Sequence, residues 1–332
     1  MEKSTAQANS NIAIIKYWGK RNEELILPTN NSISFTMDNQ LSTVTTVQFD
    51  ASLQRDEVTL DRKPADEKEL TRVTSFLDII RKQANVTLFA YVSSNNTFPK
   101  AAGLASSASG FAALAAAASK AAGLDLSLQE LSMLARKGSG SASRSIFGGA
   151  VEWLKGNKPD GSDSFAVQLS DEKNWSYLRN IIVIFDSEKK KVSSRAGMAD
   201  TVKTSSLFKR RLFNVEKRLD LVRTAIKNND FESMADTIME DSDEMHACMA
   251  DTNPSIVYLN KTSHEIIKKI RALNQGEKIA AYTFDAGPNA HIYTTQKRVL
   301  TVKKVLSEIR GIKKIIECKI GEGIQYTDKH LF

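Results

Sequence analysis

The feature that constrains the fold most is an alanine-rich stretch at residues 106–122, which begins inside the small-residue segment FPKAAGLASSASG at residues 98–110. Alanine favours helix and has a very short side chain, so we expect a helix that packs closely against its neighbours. Glycines and serines before a helix let N–H groups and hydroxyls approach an anion at its positive end. The segment therefore predicts a phosphate-binding loop, although a tight strand-to-helix turn would have the same composition. The P-loop pattern is absent.

Hydrophobic periodicity predicts further strands and helices. Alternating or continuous apolar residues indicate strands at residues 43–49, 87–92, 180–185, 279–284 and 315–320. Ser127 and Glu130 form a capping-box pattern that opens a helix reaching about residue 137. We also expect helices at residues 255–273 and 296–309. A long amphipathic helix is predicted by one apolar face made of Phe208, Leu212, Val215, Leu219, Val222 and Ile226.

The chain length and a change in the pattern of apolar and charged residues after residue 186 predict two domains. A chain of 332 residues exceeds the size at which one core usually keeps growing. We place the boundary near residue 186, which separates an N-terminal domain (1–186) from a C-terminal domain (187–332). The predicted class is α+β, with a mixed first domain and a second domain of helices on an antiparallel sheet.

Charge and composition limit the partners and the compartment. The net charge is +7, but the basic residues are spread along the chain, and we expect no nucleic-acid partner. Charged residues interrupt every apolar stretch before it reaches membrane-spanning length, and the first residues lack a secretory apolar run, so we expect no membrane partner. Cys248 and Cys318 lie far apart and form neither a disulfide framework nor a zinc spacing. This usage fits a cytoplasmic protein.

A second small-residue segment, KGSGSASRS at residues 137–145, surrounds Arg144 with glycines and serines. The planar guanidinium of an arginine suits a carboxylate or a phosphate, and the serines add hydrogen-bond donors. A flexible linker has a similar composition. This segment is short and lies between predicted core elements, which favours a ligand site.

Two further segments place ionisable residues at the ends of apolar runs. Lys16 and Lys20 follow such a run in NIAIIKYWGKR at residues 11–21, and Asp285 follows one in AYTFDAGPNA at residues 281–290. A carboxylate held at a strand end could be a general base or a metal ligand. Each segment also has a purely structural explanation: a strand that leaves the core into a charged turn, or a turn that begins at an aspartate.

Taken together, seven segments resemble the diphosphomevalonate decarboxylase family, a branch of the superfamily that includes galactokinase, homoserine kinase, mevalonate kinase and phosphomevalonate kinase. They occur in the family's order between residues 11 and 290: NIAIIKYWGKR, LPTNNSIS, FPKAAGLASSASG, ARKGSGSASRSIFGG, VSSRAGM, DSDEMHACMADTNPS and AYTFDAGPNA. The resemblance implies a two-domain small-molecule-kinase fold, in which an N-terminal α/β domain and a C-terminal ferredoxin-like domain enclose the active site in a cleft. It also implies a homodimer.

The resemblance further implies roles for individual residues. Asp285 would be the catalytic aspartate, with Lys16 and Arg144 as its cationic neighbours. Residues near the ATP triphosphate and Mg²⁺ would be Gly103, Leu104, Ala105, Ser106 and Ser107, with Ser106 as the metal ligand. Residues towards the nucleotide base would be Ser93, Ser94, Asn95 and Asn96. Substrate-binding residues would be Tyr17, Trp18, Gly19, Lys20, Arg72, Ser139, Gly140, Ser141, Ala142, Ser143, Arg144, Ser194 and Arg195.

The implied reaction is ATP-dependent decarboxylation of (R)-5-diphosphomevalonate to isopentenyl diphosphate, by way of phosphorylation at the C3 oxygen. The sequence departs from the family pattern at Asn253, where an aromatic residue is expected, and at Ser255, where a second proline is expected. The middle of residues 28–32 also differs. Alternatives are therefore a phosphomevalonate decarboxylase or a mevalonate 3-kinase-type enzyme of the same fold, and a ligand-binding relative without catalysis. The presence of Lys16, Arg144 and Asp285 together favours decarboxylation.

Overall fold

The computed structural model describes residues 1–98, 106–185 and 192–332. Its strands are β1 (Ser4–Asn9), β2 (Asn11–Ile15), β3 (Lys20–Asn22), β4 (Leu27–Pro28), β5 (Ser32–Thr36), β6 (Ser42–Asp50), β7 (Glu57–Leu60), β8 (Lys63–Pro64), β9 (Phe89–Asn96), β10 (Ala150–Trp153), β11 (Ala166–Ser170), β12 (Leu178–Ile184), β13 (Ala280–Phe284), β14 (Ala290–Thr295), β15 (Lys314–Lys319) and β16 (Gln325–Tyr326). Its α-helices are α1 (Glu67–Ala84), α2 (Ser106–Ala121), α3 (Leu128–Gly138), α4 (Ser194–Thr204), α5 (Phe208–Lys227), α6 (Phe231–Ala250), α7 (Lys261–Leu273) and α8 (Val299–Ser307).

The first sheet carries the alanine-rich helix. Its strand order is β16-β1-β6-β9-β7-β8, and α2 packs across β1 and β6. Alanines 112, 113 and 115–118 are fully buried, and they let the helix lie close to the sheet. The predicted helix and its close packing are confirmed. The N-terminus of α2 points towards the turn that follows α3, where Ser107 and Ser139 are in contact.

The second and third sheets face each other across one continuous core. The second sheet has the order β11-β10-β5-β2, and the third, fully antiparallel, has the order β13-β14-β12-β15. Phe35 of β5 lies between Trp175 and Tyr293, with ring centroids 4.9 and 5.7 Å away. Helices α5 to α8 extend this core beyond the third sheet. The predicted arrangement of helices on an antiparallel sheet is confirmed.

Most predicted elements lie where periodicity places them, but one helix begins later than predicted. The helix expected from residue 255 is α7, which starts at Lys261. Pro254 lacks a backbone N–H group, whereas the Asn260 side chain caps the helix by accepting a hydrogen bond from the backbone of Ser263. Residues 296–298 form a 3₁₀ turn before α8.

The predicted domain boundary near residue 186 lies outside the described residues and stays a prediction. β12 precedes this position and belongs to the third sheet, whereas β16 returns to pair with β1 of the first sheet. Among the described residues, no helix combines the length and the apolar character needed to cross a bilayer.

Candidate active site

The structure brings Lys16 and Asp285 together from two different sheets. Lys16 follows the last residue of β2, and Asp285 follows the last residue of β13. The Lys16 Nζ donates a hydrogen bond of 2.7 Å to Asp285 Oδ1. The lysine side chain is 2% exposed and the aspartate side chain 31% exposed. The carboxylate is therefore held by the lysine and partly exposed to solvent.

Burial strongly influences the charge of Lys16. Loss of solvent lowers the pKa of its ammonium group, the Asp285 carboxylate opposes this shift, and the positive charge of Arg144 adds to it. A buried lysine keeps its proton only where a carboxylate lies close to it. The ion pair with Asp285 therefore helps Lys16 to keep its proton.

Arg144 is held rigidly by neutral partners. It lies in the 3₁₀ helix Gly140–Ile146 and is 2% exposed. Its Nε donates to Asn11 Oδ1 and to Ser34 Oγ, each at 3.0 Å, and its Nη1 donates to Ser32 Oγ at 2.6 Å. Within the described ranges, no carboxylate lies at ion-pair distance from it. Burial lowers its pKa to about 10, so it remains a cation at neutral pH and can accept an anionic ligand group.

The serine-rich turn before Arg144 lies against the N-terminus of α2. Ser139 Oγ donates to Ser107 Oγ at 3.3 Å and lies 3.5 Å from Ser141 Oγ. Ser143 Oγ instead donates to the Gly140 carbonyl at 2.7 Å, which tightens the turn. Ala142 and Ser143 are buried. The two segments predicted to bind phosphate are therefore adjacent, and the hydroxyls of Ser139 and Ser141 are the ones near the helix end.

Glycine is required at two positions of this region. A Cβ atom at Gly140 would lie 2.7 Å from the Trp153 ring and 3.0 Å from the Tyr17 ring. Gly19 has φ +117°, and a Cβ there would lie 2.6 Å from the Phe208 ring. Both glycines therefore bring the backbone close to aromatic side chains.

The residues after Lys16 have different surroundings. Tyr17 packs edge-on against Trp153 at 4.7 Å, and its buried hydroxyl has no hydrogen-bond partner in the described chain; burial raises its pKa. The Trp18 ring is buried between α4 and α6, and its Nε1 donates to Thr201 Oγ1 at 3.1 Å. Lys20 forms an ion pair with Glu23. The Trp18 side chain therefore serves packing, whereas the Tyr17 hydroxyl is buried with no hydrogen bond to a described residue.

A cleft of about 890 Å³ is lined by charged residues of both signs. Its cations are Lys68, Arg72, Lys137 and Arg195, and its carboxylates are Glu23, Glu24, Asp66 and Glu67. Arg72 Nη2 donates to the Gly138 carbonyl at 3.0 Å, and its guanidinium lies over the Phe111 ring. Partial desolvation, and then the positive charge of Arg195, lowers the pKa of Arg72 to about 10. Much of this side chain remains exposed, so it keeps its charge. Ser194 and Arg195 begin α4 directly after its cap, Ser193.

The strand predicted to face the nucleotide base has a buried amide oxygen with no partner in the part of the chain that the structure describes. Ser93, Ser94, Asn95 and Asn96 lie in the last half of β9. Ser94 Oγ pairs with Thr45 Oγ1 at 2.8 Å, and the Asn96 side chain donates to the Asp61 carboxylate. Asn95 Oδ1 is buried without a hydrogen bond among the described residues. The other predicted nucleotide contacts, Gly103, Leu104 and Ala105, lie outside the described residues.

Sequence reasoning missed the residues that hold the site in place. Asn11, Ser32 and Ser34 bind Arg144, and Asp241 accepts the backbone N–H of Lys16 at 2.7 Å. Asn11 and the two serines lie inside the segments NIAIIKYWGKR and LPTNNSIS, so a signal for them was present. Asp241 lies in DSDEMHACMADTNPS, where nothing indicates a contact with a residue 225 positions earlier.

Comparisons with known proteins agree along the whole chain. Residues 8–166 match a family described as diphosphomevalonate decarboxylase-like N-terminal domain, and residues 180–327 match mevalonate 5-diphosphate decarboxylase C-terminal domain. A diphosphomevalonate decarboxylase from Candida albicans is 40% identical over 361 residues, which cover 100% of this chain and 99% of that protein.

Solved structures are similar to this chain both in fold and in sequence. The mevalonate diphosphate decarboxylase of Staphylococcus aureus has a TM-score of 0.94 and 38% identity, with 98% of each chain covered. MDDEF in complex with MVAPP, AMPPCP and magnesium has a TM-score of 0.90 and 42% identity, again with 98% of each chain covered. These likenesses confirm the predicted α+β class and the two-domain small-molecule-kinase fold. The chain belongs to the diphosphomevalonate decarboxylase family of enzymes.

Proposed function

We propose that this protein catalyses the ATP-dependent decarboxylation of (R)-5-diphosphomevalonate to isopentenyl diphosphate, with ADP, phosphate and carbon dioxide as the other products. The observation that carries the proposal is the pairing of Asp285 with buried Lys16, together with buried Arg144, which has neutral partners. This set offers one oriented carboxylate and one cation for an anionic ligand group. The chemistry of the substrate needs both.

Asp285 is the proposed catalytic carboxylate. It orients the C3 hydroxyl and takes its proton as the oxygen attacks the terminal phosphate of ATP and ADP leaves. The proton then passes to solvent, which restores the carboxylate before the C3–O bond breaks. Hydroxide is a poor leaving group, and the new phosphate ester is a good one. When the C3–O bond breaks, phosphate takes the electron pair and positive charge develops at C3, which the carboxylate stabilises. The bond to the carboxylate carbon then breaks, and its electrons form the double bond as carbon dioxide leaves.

The two cations have separate tasks in this proposal. Arg144 binds the substrate carboxylate and holds it in line with the breaking bond, since its neutral partners leave its charge available. Lys16 keeps Asp285 ionised and fixes its orientation through the 2.7 Å hydrogen bond. Neither residue needs to exchange a proton with the substrate.

We propose that ATP binds between β9 and the N-terminus of α2, with Mg²⁺ held partly by Ser106. Ser106 and Ser107 occupy the first turn of a 16-residue helix, where N–H groups favour phosphate. Mg²⁺ prefers oxygen ligands and commonly takes only one or two from the protein, with phosphates and water completing its shell. The serine hydroxyls therefore fit such an ion. When bound, the ion neutralises charge on the phosphates. Asn95 Oδ1 is the proposed acceptor for the base.

The cleft with Arg72, Lys137 and Arg195 is the proposed site for the diphosphate of the substrate, and the charge of Arg195 also acts on the Tyr17 hydroxyl. Arg72 and Arg195 lie close enough for the charge of one to lower the pKa of the other. A bound anion with several negative oxygens would relieve this repulsion, and a diphosphate does so better than a monophosphate.

Arg72→Met is expected to raise the KM for 5-diphosphomevalonate by about 10- to 100-fold, which corresponds to the loss of a charged hydrogen bond of about 1.5–3 kcal/mol. The methionine keeps apolar contact with Phe111, while kcat and the KM for ATP stay near their wild-type values. Steady-state kinetics measure all three constants. Lys82→Met, on the exposed side of the same helix, is the matched control. An unchanged KM for the Arg72 variant would contradict this assignment of the diphosphate site.

One assay tests the proposed function. The purified protein is incubated with ATP, magnesium and each of mevalonate, its 5-phosphate and its 5-diphosphate, and both ADP and carbon dioxide are measured. We expect equal amounts of the two products with the 5-diphosphate. Turnover of the 5-phosphate alone would instead indicate a phosphomevalonate decarboxylase. ADP without carbon dioxide would indicate a 3-kinase, and the absence of both products would indicate a binding protein.

We further propose that the protein is a cytoplasmic homodimer. The family resemblance supports the dimer, and sedimentation equilibrium of the purified protein tests it. Both cysteines, Cys248 and Cys318, are buried and free, as expected of a protein that matures in a reducing compartment. Fractionation of the source cells tests the location.

A further inference from the structure

One turn of α6 contacts the ends of two strands that belong to different sheets. Asp241 Oδ2 accepts the backbone N–H of Lys16, directly after β2, at 2.7 Å. The next residue, Ser242, accepts the backbone N–H of Phe284, the last residue of β13, at 2.9 Å through its Oγ. Phe284 is covalently bonded to Asp285. Both members of the Lys16–Asp285 pair are thus tied to a single helical turn.

The sheets themselves do not set the distance between these strand ends. β2 is an edge strand of the second sheet and β13 an edge strand of the third, so no hydrogen-bonded ladder connects them. The Tyr293 hydroxyl of β14 does donate to the Ile12 carbonyl of β2 at 3.1 Å, but this contact lies four residues before Lys16. The side chains of Asp241 and Ser242 supply directed hydrogen bonds at this point.

A buried ion pair holds the turn in place. Asp241 and Arg211 of α5 are both fully buried, with 3.1 Å between Arg211 Nη1 and Asp241 Oδ1. Arg211 Nη2 donates to Asp241 Oδ2 at 3.2 Å and to the Lys16 carbonyl at 3.4 Å. Asn30 also donates to this carbonyl, at 3.0 Å. Both backbone polar groups of Lys16 are therefore bound by side chains from outside β2, which leaves the strand end little freedom.

We propose that Asp241 and Ser242 are positioning residues, which fix the separation and orientation of Lys16 and Asp285 without touching the substrate. This inference rests on the proposed function, because it assigns the purpose of the contacts to that reaction. The inference adds to the site the turn of α6 that binds the backbone N–H groups of Lys16 and Phe284.

Ser242→Ala is expected to lower kcat by about 10- to 100-fold while the KM values for ATP and 5-diphosphomevalonate stay nearly constant. The reason is that displacing a catalytic group by about 1 Å can cost about 10²-fold in rate, whereas the binding groups lie elsewhere. Ser119→Ala is the matched control, since Ser119 is a buried helical serine that hydrogen-bonds within α2. Thermal unfolding of both variants gives the folded fraction used to normalise kcat.

Asp241→Asn tests the same turn through pH. The negative charge of Asp241 raises the pKa of Lys16, so its removal lowers that pKa further. The pair needs protonated Lys16, and the basic limb of the kcat–pH profile is therefore expected to move to lower pH. Ionisable groups facing Lys16 also include Asp285, Arg144, His246, His291 and Arg211. Burial lowers the pKa of His246 to about 3 and that of His291 to about 4, so both stay neutral over this range.

Asp243→Asn is the control for the pH experiment. It lies in the same turn but pairs with Arg271 and with the Tyr282 hydroxyl, and it contacts neither strand-end backbone. Its profile should match that of the wild type. If Asp241→Asn fails to fold, the outcome for Ser242→Ala decides the proposal.

Hydrogen exchange provides a readout that does not depend on activity. Ser242→Ala should speed hydrogen exchange at the Phe284 amide, because this N–H group loses its acceptor. The Lys16–Asp285 ion pair should loosen as well. Both effects are expected whether or not the wild type releases carbon dioxide. A wild type without decarboxylase activity would overturn the proposed function, and exchange would then decide the positioning role. Three outcomes would overturn the inference. The first is a Ser242→Ala variant with the kcat of the wild type, and the second is a loss of kcat that the unfolded fraction of the variant explains. The third is an unchanged rate of hydrogen exchange at the Phe284 amide.

Discussion

Asp285→Asn is expected to lower the rate of carbon dioxide release by at least about 10²–10³-fold, the usual cost of removing one preorganised electrostatic group from an active site. Asparagine has nearly the same shape, and it can neither take the proton of the C3 hydroxyl nor stabilise positive charge at C3. Its amide oxygen can still accept a hydrogen bond from Lys16, so the site should keep its form. ATP binding, measured by calorimetry, should remain near the wild-type value, because the proposed nucleotide site lies at α2 and β9.

Asp243→Asn is the matched control for this variant. Asp243 and Asp285 have the same side-chain exposure of 31%, and each pairs with a cation, Arg271 for Asp243 and Lys16 for Asp285. The control separates loss of the reacting carboxylate from loss of any half-buried negative charge. Normal carbon dioxide release by Asp285→Asn would show that another group acts as the base. Release of ADP without carbon dioxide would limit the role of Asp285 to the step after phosphorylation.

Arg144→Lys is expected to lower kcat by about 10²-fold or more, although the positive charge is retained. A lysine ammonium has one nitrogen, and it cannot bind Asn11 and Ser32 while also holding a substrate carboxylate in a planar fork. The carboxylate would then be bound with more freedom, and the breaking bond would lose its alignment. Single-turnover measurement of ADP and carbon dioxide separates the two steps. Decarboxylation should slow more than phosphorylation.

Arg179→Lys is the control for loss of a buried guanidinium. Arg179 lies in β12, is 5% exposed and binds the carbonyls of Ser176 and Leu178 and the side chain of Gln296, away from Lys16 and Asp285. The two variants should lose comparable stability by thermal unfolding, while only Arg144→Lys loses kcat. An Arg144 variant that keeps its rate would remove Arg144 from the proposed mechanism.

Three helices, α1, α4 and α6, were missed although local capping signals for them exist. Asp66 and Glu69 form a capping box at the start of α1, and Asp230 caps α6. In α1 the buried residues Val73, Phe76, Leu77 and Ile80 follow helical spacing.

The late start of α7 has a cause that is not local. Residues 251–260 contain no strong helix breaker except Pro254, and the choice of Asn260 as the cap depends on how the preceding loop packs on α4 and α6.

The sequence alone determined those features of this protein that depend on residues close in the chain. The alanine-rich helix, the strands with one buried face, the serine-rich turn around Arg144, and Lys16 and Asp285 at strand ends all follow from spacing and side-chain size. Their assignment to one reaction came from the order of seven segments.

Only the tertiary structure decided which residues hold that site together. Lys16 and Asp285 are 269 positions apart, and they meet because two sheets pack face to face. The contact of Asp241 with the Lys16 backbone spans 225 positions. The local sequence gives no sign of such contacts, because an aspartate and a serine are ordinary residues in a polar helix. Their task arises only when burial removes water and leaves a backbone N–H group with no other partner.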